Sequence, residues 1–235
     1  MADFVDLLFA DQDLDELLVH VELAPLSPLF VARSRLWEGR LAEAKELASA
    51  VTDDVLAPLV VAHAEQRAGD VAGAAKTLLA LDVPTVDTRM RLWAWRALRD
   101  LGVAPPPETA RELLGVVIQV PMRTGLDALA AYADGSARYA SHAGGVVVHE
   151  PGGRIDTAVA EVLYAAEHLT ARPTAVRNRA PIPRERIRFT ALSRLGLHAM
   201  EVGAETFEDA QHPLGKLFFV ASRLLVALTT SRPQG

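Results

Sequence analysis

Apolar positions in the first third of the chain recur with a helical period, and the pattern itself repeats. Pro28-Leu29-Phe30-Val31-Ala32 returns thirty residues later as Pro58-Leu59-Val60-Val61-Ala62. At the same offset Gly39 meets Gly69, Ala42 meets Ala72, Ala44 meets Ala74 and Ala50 meets Ala80, giving eight identities between 28–50 and 58–80. Each copy predicts a helix–turn–helix, with residues 27–37 and 41–51 as the two helices of the first. Pro28 and Pro58 sit where a helix can begin, since proline lacks only a donor that would be unpaired there. Gly39 and Gly69 allow the tight turn between helices, and Ala42 and Ala44 are small where two helices must approach. Residues 3–21 supply a degenerate first unit and 86–115 a last one. In the last unit Trp93, Trp95 and Leu98 lie on a helix, and Pro105-Pro106-Pro107 breaks the chain before 108–114. Helical hairpins bury their apolar faces only by stacking, so 1–114 is expected to form one helical-repeat domain.

From Gly115 the period changes. Val116 to Val120 is short and β-branched, as a strand should be. Leu126 to Ala133 and Ala137 to Ser141 flank Asp134-Gly135, a strong hairpin signal because glycine accepts a positive φ without steric cost. Gly144-Gly145 makes a second turn, and Val146 to Glu150 a further strand, completing a four-stranded meander. Ile155, Val159, Val162, Leu163, Ala166 and Leu169 then mark one face of a helix. Residues 170–185 read as a loop, 187–193 and 197–202 as a second hairpin, and 214–230 as an apolar last helix. Strands grouped together with helices over one face give an α+β domain across 115–235.

The pieces Trp37-Glu38-Gly39-Arg40-Leu41-Ala42-Glu43-Ala44 and Arg67-Ala68-Gly69-Asp70-Val71-Ala72-Gly73-Ala74 resemble the inter-helix turn of tetratricopeptide repeats, in which Gly precedes Ala by five residues. The resemblance covers about 27–81 and departs from that family in its period of thirty. It implies a stack of hairpins with a concave face suited to peptide or protein. The stretch Gly125 to Tyr139 resembles the central hairpin of a group of uncharacterised bacterial proteins, in which a helix, a hairpin and an apolar last helix also follow. That resemblance covers about 115–230 and implies a coherent domain without implying chemistry.

Composition narrows the function classes. Among 235 residues there is no cysteine, which removes disulfides, thiol catalysis and cysteine metal sites. The net charge of −6 argues against a dedicated nucleic-acid binder. The charge is uneven: Asp3, Asp6, Asp11, Asp13, Asp15, Glu16 and Glu22 crowd the start without a Lys or Arg among them. That start lacks the basic and apolar regions of a signal peptide, and the longest apolar run, Leu217 to Thr229, is interrupted by Arg223. A cytoplasmic protein without a membrane partner is the expectation.

Candidate chemistry is sparse. The pairs His149-Glu150 and His198/Glu201 have spacings that put their side chains on opposite faces of a strand, and His142 with His149 lacks a third ligand, so no metal is assigned. Ser136 and Ser141 lie near His142 without a nucleophile-elbow context. No glycine-rich phosphate loop is present, and no cofactor is expected. The densest feature is a run of arginines, Arg172, Arg177, Arg179, Arg184, Arg186 and Arg188, opposed only by Glu185. It reads as a solvated loop, as a contact for an acidic protein segment (the chain's own start included), or as a phosphate contact; nucleic acid is disfavoured because no aromatic is interleaved to stack bases. Tyr132 and Tyr139 flank the Asp-Gly turn, with Arg138 beside the second, as a cross-strand pair or an interface anchor.

Taken together, the residues predict a non-enzymatic adaptor. Its helical repeats present a groove, and its α+β domain binds a second protein partner or another copy of itself. Tyr132, Arg138, Tyr139, Arg177, Arg179, Arg184, Arg186 and Arg188 are the interaction candidates. The alternative is an enzyme or small-ligand sensor, in which Tyr132, Arg138, His149 and Arg188 converge on one pocket within 115–230.

Overall fold

A computed structural model of the chain describes residues 2–175, 180–207, 209 and 211–230. The chain forms two compact units, Ala10–Pro105 and a second made of Met1–Phe9 with Pro106–Gly235. The division thus falls at Pro105/Pro106 where residue 114 was expected, and the first nine residues group with the sheet.

The unit Ala10–Pro105 is helical. It contains α2 (Leu14–His20), α3 (Pro28–Trp37), α4 (Leu41–Ser49), α5 (Ala57–Arg67), α6 (Val71–Leu79) and α7 (Thr88–Asp100), while α1 (Ala2–Leu7) belongs to the other unit. Helix starts are set by short polar side chains that accept otherwise unpaired N–H groups. Asp13 Oδ1 accepts from the Glu16 N–H at 2.7 Å, Ser27 Oγ from Phe30 at 3.2 Å, and Asp70 Oδ1 from Gly73 at 2.9 Å. The repeat's two turns are built alike, with Gly39 and Gly69 at φ +77° and +83°, the left-handed region glycine reaches at little cost. Ala32, Ala44, Ala48, Ala57 and Ala64 are buried in one cluster with Leu29, Leu36 and Val60, so small side chains let the helices close on one another. Arg33 Nη1 donates to the Leu18 and Val21 carbonyls at 2.9 and 2.8 Å, tying α3 to the end of α2.

Three carboxylates of the acidic start have partners within this unit. Asp11 faces Arg99 at 3.2 Å and Arg96 at 3.9 Å, Asp13 caps α2, and Asp15 meets His63 at 2.9 Å. Residues 108–114, expected as the second arm of a last repeat, are instead a turn over 108–111 and irregular chain over 112–114. Three consecutive prolines deprive a helix of its donors, and the Leu114 N–H is already drawn to the Leu192 carbonyl at 2.8 Å.

The second unit is α+β. Strands β1 (Gly115–Pro121), β2 (Leu126–Tyr132), β3 (Ala137–Ala140), β4 (Val146–His149), β5 (Arg186–Ser193) and β6 (Gly196–Gly203) make one antiparallel sheet in the order β4-β3-β2-β1-β5-β6. The expected meander and hairpin are therefore one sheet, joined along β1–β5. Helices α8 (Asp156–Ala166) and α9 (Pro213–Thr230) pack against each other, and the core forms between them and one sheet face. Val116, Ile118, Leu129, Ala131, Phe189 and Ala191 point to that core by strand alternation. They meet Val159 and Val162 of α8 and the stripe Leu214, Leu217, Ala221, Leu224 and Leu228 of α9. Among the described residues α9 is the one helix long and apolar enough to cross a membrane by length and composition, with only 28% of that window buried.

The Asp134-Gly135 turn forms with Gly135 at φ +91°, and Tyr132 and Ser136 close the loop through a 3.0 Å backbone bond. Its register separates the two tyrosines that were expected as a pair. Tyr139 stands opposite Leu129, and Tyr132 opposite Gly115. By alternation they occupy opposite faces of the sheet, because the ladder stops at Ala131–Ala137 and leaves a longer loop than a two-residue turn.

Candidate anion-binding cleft

Arg172, Arg186 and Arg188 of the arginine run come together at the β5–β6 hairpin. A cleft of about 610 Å³ is lined by Arg172, Ala175, Arg186, Arg188, Ala199, Met200 and Glu201. Strand alternation sends Arg186 and Arg188 to the sheet face away from α8 and α9, and the register brings Arg188 opposite Glu201 and Arg186 opposite Gly203. The hairpin turn at Gly196 (φ +124°) fixes that register.

One residue of β6 orients two guanidinium groups. Arg188 Nε donates to Glu201 Oε1 at 2.8 Å and its Nη2 lies 2.6 Å from the same oxygen. Arg186 Nη2 donates to the Glu201 backbone carbonyl at 2.9 Å, with its Nε 3.9 Å from the carboxylate. The Arg188 side chain is 6% exposed and that of Arg186 45%, so one charge is the floor of the cleft and the other its rim. Two guanidinium groups thus meet one glutamate, and Arg172 lines the same cleft.

Arg172 reaches the cleft from the segment after α8, where a 3₁₀ turn (Glu167–Ala171) ends. Its backbone carbonyl accepts from His198 Nδ1 at 2.7 Å and from Arg111 Nη1 at 3.2 Å, and two bonds from the sheet and the preceding loop pin the chain there. His198 is fully buried, and its Nε2 lies 2.8 Å from Ser193 Oγ. Since the carbonyl can only accept, Nδ1 carries the proton and Ser193 donates to Nε2. Burial pushes the His198 pKa below its usual value and the Arg111 charge adds to this, against the opposing pull of the Arg172 carbonyl. This Ser–His pair has the contacts of a nucleophile and base, but both side chains are sealed from solvent, and it serves as a strut under Arg172.

The remaining candidates are dispersed. Arg184 lies outside the cleft, donating to the Arg123 carbonyl at 3.3 Å, and Arg177 and Arg179 lie outside the described residues. Arg138 is buried two strands beyond β1 and pairs with Glu150 at 3.2 Å. Tyr132 is fully buried, its hydroxyl donating to the Leu8 carbonyl at 2.6 Å, and its ring leaves no room for a Cβ on Gly115, which would lie 2.9 Å away. The Tyr139 hydroxyl donates to Asp127 Oδ2 at 2.9 Å, and Asp127 Oδ1 accepts from the His142 backbone and sits 2.7 Å from its ring. Burial raises the Asp127 pKa, but these hydrogen bonds outweigh it and the net direction is down. Tyr132, Arg138, His149 and Arg188 do not converge: His149 faces the helices and pairs with Asp156 at 2.8 Å, while the others face away from them on three different strands. Among the described residues no group of three or more His, Asp or Glu side chains is placed to hold a metal ion.

Sequence reasoning missed two of the cleft's parts as site residues. Arg172 was in the arginine run, but its return to β6 is a tertiary fact. Glu201 was legible, since a hairpin closing at Gly196 brings it opposite Arg188. Comparison with protein-family models, curated proteins and solved structures finds no match for the chain.

Proposed function

We propose that the protein is a non-enzymatic interaction module whose α+β unit receives an acidic segment of a protein partner in the arginine cleft. The observation that carries this reading is the make-up of the cleft, whose described lining holds the three arginines Arg172, Arg186 and Arg188 and the one carboxylate of Glu201. Arginine suits the task because its planar fork matches carboxylate geometry and its charge persists at all working pH values. The chain's own acidic start is a poor occupant, because Asp11, Asp13 and Asp15 have partners within the helical unit. The tetratricopeptide-like hairpins of residues 27–81 supply a second surface for protein, in keeping with an adaptor that works in the cytoplasm.

The test is fluorescence anisotropy of a labelled oligoglutamate peptide titrated with the full chain at low and moderate salt. Binding that weakens with salt and is lost in the Arg172→Ala/Arg186→Ala double variant supports the reading. Both side chains are exposed, so the variant keeps the fold. Equal binding by variant and parent overturns it.

A further inference from the structure

The cleft's charge and donor geometry go further than a generic acidic partner. Its described lining carries three guanidinium groups and one carboxylate, a net of two positive charges among those residues. A single carboxylate ligand would leave one of these uncompensated, whereas a phosphate monoester carries about −1.5 to −2 charges at pH 7 and three acceptor oxygens. The inner arginine is already engaged: Glu201 Oε1 takes both Nε and Nη2 of Arg188. That leaves the rim guanidinium groups of Arg172 and Arg186 to make the principal contacts. Arg186 commits one of its five donors to the Glu201 carbonyl, which aims its fork without exhausting it. The Arg172 backbone is pinned by His198 and Arg111, so its side chain departs from a fixed point.

The rest of the lining is Ala175, Ala199 and Met200. No aromatic ring is present to stack a base, so a nucleotide finds phosphate contacts here without a seat for its base. The small side chains of Ala175 and Ala199 beside a cationic rim suit an extended peptide carrying a phosphorylated side chain.

We infer that the arginine cleft is a phosphomonoester site that takes a phosphorylated serine or threonine of a partner segment. This rests on reading the cleft as an anion site. The experiment titrates the full chain, by calorimetry at pH 7.5, with a phosphoserine peptide, the same peptide carrying glutamate at that position, and inorganic phosphate. The phosphopeptide should bind at least tenfold more tightly than the glutamate peptide. Free phosphate should compete for the same site more weakly, and Arg172→Ala/Arg186→Ala should reduce phosphopeptide binding at least tenfold. Lowering the pH to 5.5 should weaken phosphopeptide binding about fourfold, because the second phosphate ionisation lies near 6 and about a quarter of the dianion then remains. Burial lowers the pKa of His198, the imidazole bonded to a lining residue, which disfavours its charging as the pH falls. Glutamate and phosphoserine peptides binding equally would overturn the phosphomonoester assignment and leave the anion cleft standing. Failure of all three probes to bind would overturn both, and tighter binding of free phosphate than of the phosphopeptide would overturn the peptide source.

Discussion

Replacing Glu201 with glutamine should destabilise the sheet-bearing unit by about 2 kcal/mol. Arg188 is 6% exposed and two of its donors converge on one carboxylate oxygen, so removing the negative charge leaves a guanidinium desolvated and unbalanced. For a fully buried pair such a loss costs about 3–5 kcal/mol. The Glu201 side chain is 28% exposed, so water reaches the pair and the estimate is discounted to about 2 kcal/mol. Arg188→Met should cost less, about 1 kcal/mol, because the orphaned carboxylate turns to solvent. The double variant Arg188→Met/Glu201→Gln removes both charges and should lie within about 1 kcal/mol of the parent. The double-mutant cycle therefore predicts a coupling of about 2 kcal/mol.

The assay is urea unfolding, in which 2 kcal/mol at a slope of about 2 kcal/mol per molar moves the midpoint by about 1 M. The chain supplies a probe for each unit. Trp37, Trp93 and Trp95 all lie in Ala10–Pro105, and Tyr132, Tyr139 and Tyr164 all lie in the sheet-bearing unit. Tryptophan emission thus follows the helical unit, and near-ultraviolet tyrosine dichroism follows the sheet. The Glu201→Gln shift should be seen by tyrosine. If the two single costs add to that of the double variant within about 0.5 kcal/mol, the pair is not coupled and the account of Glu201 as the residue that holds Arg188 is wrong.

Three further outcomes follow from the fold. Gly135 at φ +91° should not tolerate a side chain, so Gly135→Ala should cost about 1–2 kcal/mol in the tyrosine-monitored transition while leaving tryptophan emission unmoved. Leu224, fully buried where α9 meets the core, should lose about 2–5 kcal/mol on replacement by alanine, measured the same way. Because the folded pKa of His198 is depressed, the unfolded chain binds the extra proton first. Stability is therefore complete above the unfolded value near 6.5 and declines as pH falls below it toward the folded value. His198→Gln should flatten that decline in midpoints collected between pH 7.5 and 5.5.

The elements were legible wherever local pattern and tertiary demand agree. The thirty-residue offset located α3 to α6 because each copy carries its own proline start and glycine turn, and the β-branched run at 116–120 announced β1. The misreadings have tertiary causes. Residues 108–114 have helix-forming composition, but Leu114 is claimed by a strand far along the chain, and that pairing overrides local propensity. The tyrosine pair failed because the register is shifted by one residue from that of a two-residue turn, which sends the two side chains to opposite faces. In the cleft, the Arg188–Glu201 contact follows from hairpin register and was within reach. The arrival of Arg172, and the Ser193–His198 pair that supports it, depend on where the 3₁₀ turn after α8 and the loop that follows meet the sheet, which no spacing announces.

The place of β1 in the sheet has a consequence for how the chain comes to be folded. One neighbour of β1, the strand β2, follows at once, but the other, β5, arrives only about 70 residues later, so that closure carries the entropic cost of a long loop. During synthesis the apolar edge Val116 to Val120 therefore waits with its backbone donors and acceptors unsatisfied, long after the helical unit ahead of it has been completed. An exposed, β-branched edge is a template for mispairing. Chains truncated before residue 193 should accumulate in aggregates while retaining a native helical unit, and the sheet's completion, not the stacking of the helices, should set the rate at which soluble protein appears.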